Sequence, residues 1–359
     1  MKNYLRYIAL FCLVALGCED TYNPDLDQVE NLVVIEALLT NDADVNYVKV
    51  RMTRNFYATE SQEWVTGAAV TISDDGGNSW ELSEESTGNF SIPFDAVPGT
   101  SYKIVVEAVG ETYESGFETL PPVPTIDSMN VVADTITTYT YDSDGQPRAH
   151  EVTGMQIVAD LPVSSGLKNY RFTFPRTLEY IVPPPDEMPS PPPVYSWINY
   201  GQSGIFPIEG PAEYGNETQL KDRQLLFLSN RIGDFVTQEK IDSSAYMVGW
   251  LVNMSVFGIS EKTYNFYESV NAQLEADGKL FDPVYAQLEP NFECTSNSDV
   301  EVVGYFEVSS HLFQRFYAYV PYYSKNSYFH YVSAPAAIPA SGQIKSTTPP
   351  EFWEDPYSD

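Results

Sequence analysis

The chain is poor in cysteine, histidine and basic residues, and each shortage excludes a class of protein. Three cysteines in 359 residues cannot form a disulfide scaffold. Only 19 Lys and Arg residues stand against 50 Asp and Glu, which gives a formal net charge of -31. Because so acidic a surface repels phosphate backbones, we expect no nucleic-acid partner. An acidic face that keeps a surface protein in solution is sufficient to explain the charge.

Catalytic motifs are also missing. The sequence has no Gly-x-Ser-x-Gly elbow, no His-Glu-x-x-His and no phosphate-binding glycine loop. A catalytic thiol needs a neighbouring base, and the three histidines form no recognisable constellation with Cys294. We therefore expect this thiol to be unreactive and partly buried. A glycoside hydrolase would need two carboxylates at a defined separation beside an aromatic cleft. We therefore predict that the protein is not an enzyme and uses neither cofactor nor metal.

The apolar run at residues 7–16 is too short to cross a bilayer, which takes roughly 20 apolar residues. It follows Lys2 and Arg6 and is followed by the small residue Gly17. This pattern is typical of a secretory signal peptide, here over residues 1–17.

The residues after this run resemble the lipobox of bacterial lipoproteins, in which an acylated cysteine becomes the mature N-terminus. Cys18 is the cysteine that would carry the lipid. Glu19 and Asp20 resemble the signal that brings such lipoproteins to the outer face of the outer membrane. We therefore predict a protein held by lipid at the outer membrane and facing the cell exterior. The alternative is an ordinary signal peptide cleaved elsewhere, with Cys18 unmodified.

The mature chain is rich enough in apolar residues, at 43% of the whole sequence, to form two ordinary domains. Residues 18–30 are polar and form a tether. Short strands separated by turns over residues 31–120 predict a mainly β fold that begins with an immunoglobulin-like β-sandwich. The Asp- and Gly-rich clusters at 74–78 and 141–145 suggest calcium, but neither completes an EF-hand loop, and turn chemistry explains both.

Prolines make residues 121–126 a linker to a second antiparallel β domain, predicted over 127–345 and followed by a C-terminal tail at 346–359. This domain carries one amphipathic helix at 260–276, with Ser260 as its N-cap. Apolar side chains recur along one face of the helix, and such a stripe packs against a sheet more often than it binds a ligand; they are Tyr264, Tyr267, Val270 and Leu274.

A proline-rich loop at 181–194 contains seven prolines in 14 residues and predicts extended polyproline II structure. Tyr195, Trp197 and Tyr200 follow it on what is expected to be an exposed loop. Because aromatic side chains dominate interface energetics, these three are the candidate contacts for a partner or ligand. The alternative is a solvated insertion without a binding role.

Several short motifs resemble a Bacteroidota-type lipoprotein family known only as domain of unknown function 4249. In the N-terminal half they are Val33, Ile35, Glu36, Ala37, Val70, Ile72, Asp74, Pro98, Gly99, Tyr102, Pro124, Ile126 and Asp127. In the C-terminal half they are residues 260–276, 281–283, 290–291 and 304–309, and this half is the more specific.

The resemblance implies a gene beside a SusC-like TonB-dependent transporter, in the place of a SusD-like lipoprotein. The expected function is that of a non-enzymatic partner of this transporter, by capture of peptide or glycan cargo or by covering its barrel mouth. The alternative is a structural or assembly subunit of an outer-membrane biogenesis or secretion complex. Adhesion through the immunoglobulin-like domain would rest on fold analogy alone.

Overall fold

The computed structural model describes residues 32–53, 63–142, 146–182, 194–201, 204–211, 217–229, 246–275, 288–319, 328–331 and 344–346. Over these residues the protein is mainly β and contains one α-helix, α1 (Glu261–Glu275). The mainly β fold with a single helix is the one that the sequence predicts.

The strands of the N-terminal half are short and are β1 (Val33–Leu39), β2 (Tyr47–Met52), β3 (Ala69–Asp74), β4 (Ser79–Glu81), β5 (Glu84–Ser86), β6 (Asn89–Ser91), β7 (Ser101–Ala108), β8 (Glu111–Ser115) and β9 (Glu118–Thr119). Longer strands follow, which are β10 (Ser128–Tyr141), β11 (Pro147–Pro162), β12 (Asn169–Thr173), β13 (Arg176–Val182), β14 (Val194–Tyr200), β15 (Ile208–Glu209), β16 (Gln219–Ser229) and β17 (Tyr246–Ile259). After α1 come β18 (Phe292–Cys294), β19 (Val302–Val308), β20 (Ser310–Tyr319), β21 (Tyr328–Tyr331) and β22 (Ile344–Ser346).

Two sheets form a sandwich. One has the strand order β19-β1-β2-β6-β5, and the other has the order β18-β8-β7-β3-β4 with β9 also paired to β7. Apolar residues at every second position of their strands meet between the sheets in one core, for example Ile35, Val50, Ile72 and Ile104. Period-two burial of this kind is what drives two amphipathic sheets together. The two-sheet architecture is compatible with the predicted immunoglobulin-like sandwich.

The sandwich needs a correction to the predicted domain boundary. β18 and β19 lie in the segment predicted to belong to the second domain, yet they pair with β8 and β1 of the sandwich. β1 is buried along most of its length and takes a strand on each edge, β2 antiparallel and β19 parallel. Gly304 allows the close approach, because a Cβ there would overlap the Ile35 carbonyl oxygen. The sandwich is therefore built from the N-terminal strands together with two strands, β18 and β19, that follow α1 in the chain.

The rest of the chain forms a second, antiparallel body. A three-stranded sheet with the order β10-β11-β16 packs on a larger sheet with the order β15-β12-β17-β13-β14-β22. β20 also pairs with β17, and β21 pairs with β20. The core between these sheets is formed by buried residues such as Ile157, Leu228, Phe172 and Trp250.

The central strand β17 contributes its alternate side chains to two different interfaces. Trp250, Val252, Met254 and Val256 face the core of the second body. Phe257 and Ile259 point the other way and pack with Leu38 of β1. The opposite face of this sheet is therefore the surface on which the sandwich sits, and we call this contact the joint.

The helix begins as predicted. The Ser260 Oγ accepts a hydrogen bond from the Thr263 backbone N–H at 3.1 Å, which is the N-cap arrangement. The apolar stripe is packed only in part, because Tyr264 and Tyr267 are half-buried whereas Leu274 is 54% exposed. Phe266 stacks on Tyr305 of β19 with ring centroids 4.1 Å apart, so the helix covers the joint. The predicted last residue of the helix, at position 276, lies outside the described residues.

The turn at residues 74–78 uses its polar groups internally. Gly77 has a positive φ of 89°, as a tight β3–β4 hairpin requires. The Asp74 carboxylate accepts hydrogen bonds from the backbone N–H and the side-chain amide of Asn78, at 2.8 and 2.7 Å. Those hydrogen bonds, with the side-chain one first, lower the pKa of Asp74 below its ordinary value. The carboxylate thus stabilises the hairpin itself.

Candidate functional site

The predicted lipid anchor falls outside the described residues. Cys18, Glu19 and Asp20 all precede residue 32, where the description begins. The proline-rich segment is likewise outside it for residues 183–193. These predictions therefore stay predictions.

The predicted aromatic contact surface is not an exposed loop. Residues 194–200 form β14, which pairs with β13 on one side and β22 on the other. Trp197 is only 6% exposed, and the half-buried Tyr200 packs its ring against Trp250 at 5.7 Å. The prediction was wrong for Trp197, because sequence alone did not reveal that the strand is covered on both faces. The side chain of Tyr195 is outside the description, and no contact role is tested for any of the three.

Trp197 lies beside a buried acid. Glu179 on β13 is directly opposite Trp197 on β14 and is 1% exposed. The Tyr317 hydroxyl donates a hydrogen bond to Glu179 Oε2 at 3.2 Å, and no Lys or Arg of the described residues contributes to the electrostatics of this carboxyl. Burial raises the pKa of Glu179 to about 8, which outweighs the opposing effects of the Tyr317 and Trp197 side chains. The carboxyl is thus neutral near pH 7.

The joint contains a second buried acid, and this one is paired with a cation. Glu307 on β19 accepts hydrogen bonds from Arg171 on β12, with Arg171 Nη2 at 2.7 Å from Glu307 Oε1. The Tyr267 hydroxyl of α1 donates to the other oxygen at 2.6 Å, and the Ser309 hydroxyl donates to Oε1 at 2.8 Å. Burial, followed by the charge of Glu307, raises the pKa of Tyr267 well above its ordinary value. The carboxylate links three elements.

The Arg171 guanidinium is also held by aromatic faces. Its Cζ lies 4.0 Å from the centroid of the Phe257 ring and 5.0 Å from that of Tyr267. Arg171 alternates along β12 with the buried Tyr170 and Phe172, yet it is itself only 5% exposed. The sandwich covers this face, so the alternation of polar and apolar residues marks two different interfaces here.

A histidine and an aspartate complete the joint. His311 Nδ1 is 3.0 Å from Asp42 Oδ2, and burial lowers the pKa of His311 below its ordinary value. Its Nε2 has no hydrogen-bond partner among the described residues. The hydroxyls of the two preceding serines do not donate to His311. Ser309 donates a hydrogen bond to the Glu307 carboxylate, and Ser310 donates one to the Pro122 carbonyl. No serine here is activated by the histidine in the part of the chain that is described, so the geometry is that of a structural contact.

A solvent-exposed feature is the β-hairpin formed by the outer parts of β10 and β11. Among the described residues, β16 pairs with β11 as far as Gly154, opposite Ser229. We call the outer part of the β10–β11 hairpin the arm and define it as residues 133–142 and 146–153. Tyr139 and Tyr141 on the arm are 63% and 70% exposed.

The arm is held by its own polar contacts. Arg148 Nη2 lies 3.2 Å from Asp142 Oδ2, and the Gln146 N–H donates to Asp142 Oδ1 at 2.9 Å. Thr140 Oγ1 and His150 Nε2 are 2.6 Å apart. The pairing between the two strands shows no bulge along its whole length. A two-stranded hairpin is marginal in water by itself, and these side-chain contacts add to the β10–β11 ladder in holding the arm extended.

The sequence predicted turn chemistry at 141–145 but not the exposure of the arm on either side of it. β10 and β11 have 14 and 16 residues, whereas a strand typically has about 5–6. Residues 133–141 also show no alternation between apolar and polar positions, so neither face is built for a core.

Three further observations concern metal binding, the free thiol and membrane spanning. Within the described residues, no three His, Cys, Asp or Glu side chains come together in a way that could hold a metal ion. Cys294 is a free, buried thiol whose sulfur lies 3.5 Å from the Ser296 hydroxyl. In the part of the chain that is described, the helix is neither long nor apolar enough to span a bilayer.

These features define a class of protein: a mainly β chain with a two-sheet sandwich, a second antiparallel body on a polar joint, and an exposed arm. The chain belongs to the family described as "Domain of unknown function (DUF4249)", whose model matches residues 19–315. The family resemblance seen in the short motifs is thereby confirmed. No curated protein and no solved structure shows significant similarity to the chain.

Proposed function

We propose that the protein is a surface-exposed outer-membrane lipoprotein that acts without catalysis as the partner of a SusC-like TonB-dependent transporter. In this proposal Cys18 carries the lipid, Glu19 and Asp20 direct export to the surface, and residues 18–30 tether the folded part to the membrane. The protein then captures peptide or glycan cargo or covers the mouth of the transporter.

The arm is the observation that supports a contact function best. It exposes two tyrosines and an extended backbone to solvent. Aromatic rings with a hydroxyl at the edge suit contacts with sugars, peptides or another protein. By contrast, Arg171, Glu307 and Glu179 are buried and face other parts of the same chain. The exposed groups of the arm, its tyrosines and extended backbone, are therefore ones that suit binding.

Affinity purification from the membranes of the producing cells tests this proposal. We expect a tagged full-length chain to bring down a TonB-dependent transporter in a stoichiometric complex. Deletion of the gene should abolish uptake of the transporter's cargo, and re-expression should restore it. Unchanged uptake together with no co-purifying transporter would refute the proposal.

The alternative is a structural or assembly subunit of an outer-membrane biogenesis or secretion complex. A regular, rigid arm suits a permanent assembly contact as well as a transient one. The same purification separates the two, because a biogenesis or secretion complex in place of a transporter would support the alternative.

The anchor has a separate test. Mass spectrometry of the mature protein should find an acylated N-terminal Cys18, and a Cys18→Ala variant should leave the membrane fraction. A mature N-terminus at another residue would remove the anchor from the proposal without affecting the arm.

A further inference from the structure

The outer edge of β10 is open along the arm. The sheet order is β10-β11-β16, so β10 is an edge strand, and among the described residues no strand is hydrogen-bonded to its other side. β21 lies close to β10 but pairs with β20. From Ala133 to Tyr141 the open edge is about 27 Å long, at about 3.4 Å per residue.

The direction of each backbone group follows from the hydrogen bond at the tip of the arm. The Asp142 N–H donates to the Gln146 carbonyl at 3.1 Å, so these two residues form a hydrogen-bonded pair. In an antiparallel ladder such pairs recur at every second residue. The intervening residues Thr135, Thr137 and Tyr139 therefore direct their N–H and C=O groups away from β11, toward the open edge.

This edge lacks the features that protect edge strands in soluble proteins. Such strands are usually short, bulged, or marked by Lys, Pro or inward-pointing charges. β10 has 14 residues, no Lys, Arg or Pro, no bulge in its pairing with β11, and a single charge, at Asp134. Val, Ile, Thr and Tyr make up nine of its residues, and these types favour extended structure.

We infer that the β10 edge of the arm is a docking site for an extended segment of a second protein, which adds a strand to the sheet through main-chain hydrogen bonds. Only extended backbone can satisfy a row of alternating donors and acceptors of this kind. The arm is regular before the partner arrives, so little of its conformational entropy is lost on binding.

Charge distinguishes between the possible occupants. The arm carries Asp134, Asp142 and Glu151 against one basic residue, Arg148. The whole chain has a net charge of -31, so a second copy would bring two strongly acidic surfaces together. The occupant is therefore a different protein, and its pairing segment has uncharged or basic side chains. This inference holds whichever protein fills the role in the proposed function.

A proline at an outward-facing position tests the docking site. Thr137→Pro removes one outward N–H donor while leaving the β10–β11 hydrogen bonds in place, and proline is tolerated in this orientation on edge strands. Thr137→Ala is the matched control, because it removes the same side chain and keeps the donor. Each variant is made in the tagged full-length chain and purified from membranes of the producing cells.

We expect the wild type and Thr137→Ala to co-purify the same protein in equal ratio, and Thr137→Pro to lower that ratio about tenfold, the loss expected for about 1.4 kcal/mol. Equal ratios in all three would overturn the inference, as would a wild type that brings down nothing. Recovery of only a differently tagged copy of this chain would overturn the choice of occupant. A captured protein that is not a transporter would refute the proposed function and leave the docking site intact.

Hydrogen exchange of the wild type provides a second readout that does not depend on folding of the proline variant. The Thr135 N–H donates to Asp134 Oδ1 at 2.8 Å, so the open outward amides are those of Thr137 and Tyr139. In the isolated chain these two amides should exchange quickly, while that of Thr138 is protected by β11. In the purified complex all three should be protected. Fast exchange at the two outward amides of the complex would contradict strand addition.

Discussion

The joint and the arm differ in how their polar groups are buried and hydrogen-bonded. At the joint, charged side chains are buried, and each carboxylate oxygen of Glu307 has a donor: Arg171 and Ser309 at one oxygen, Tyr267 at the other. On the arm the side chains are exposed, and the outward backbone groups of one strand pair with no other described strand; the outward N–H of Thr135 donates to Asp134 Oδ1 instead. The fully hydrogen-bonded Glu307 carboxylate holds the two bodies together, whereas an open strand edge is available to a second molecule.

Removal of the charge at the joint should have the largest effect on stability. Glu307→Gln leaves the Arg171 guanidinium buried without its counter-ion, and breaking a buried pair in this way costs about 3–5 kcal/mol. The measurement is urea unfolding of the full-length chain. Glu36→Gln is the control: its carboxylate pairs with Lys49 on the surface, at 39% side-chain exposure, and should contribute about 1 kcal/mol or less.

The buried acid Glu179 tests whether a buried carboxyl without a cation behaves differently. Its pKa of about 8 in the folded chain lies above the ordinary value of 4.5, so the folded state holds more protons between these pH values. Stability from this group is therefore fully present below about pH 4.5 and is lost as pH rises toward 8, by at most about 1.4 kcal/mol per pH unit.

The measurement is the difference in unfolding free energy between wild type and Glu179→Gln from pH 5 to 8. Because the glutamine does not ionise, the variant should gain on the wild type as the pH rises. A difference that does not change with pH would show that Glu179 titrates normally in the folded chain.

Loss of one hydrogen bond at the joint should have a smaller effect. Tyr267→Phe leaves Glu307 Oε2 without its hydroxyl donor, and a buried acceptor without a partner costs about 1–3 kcal/mol. Tyr264→Phe, about one helical turn earlier, is the matched control on the same face of α1. Equal unfolding midpoints for both variants would mean that the Tyr267 hydroxyl does not stabilise the joint.

Changes on the arm should have the smallest effect on stability. Tyr139→Ser and Tyr141→Ser remove exposed rings and should change the unfolding free energy by about 0.5 kcal/mol or less. Tyr113→Ser, at a position only 2% exposed in the sandwich core, should cost about 3 kcal/mol or more. If the arm variants were as destabilised as the core variant, the arm would belong to the folded core.

Local patterns predicted much of the secondary structure, and the contacts between distant segments escaped them. Ser260 and the spacing of Tyr264 and Tyr267 were sufficient for α1, because capping and helical periodicity act over a few residues. The pairing of Arg171 with Glu307 joins residues 136 positions apart, and nothing in either neighbourhood indicates the other.

The same limit explains the misplaced boundary and the wrong placement of Trp197. β19 is an ordinary strand in sequence, and only the burial of β1 on both edges reveals that it completes the sandwich. Trp197 follows a proline-rich segment, which suggested an exposed loop, yet it lies in a strand covered on both faces. Composition describes a segment, but it does not say what covers that segment.

The parallel pairing of β1 with β19 has a consequence for how the chain acquires its shape during synthesis. Residues 40–301 leave the ribosome after β1 and before its second neighbour. The first sheet therefore lacks one of its strands, β19, until most of the second body has been synthesised. Completion of this early-made sheet thus depends on a strand made late, so a nascent chain released before residue 302 would lack the strand that pairs with the second edge of β1.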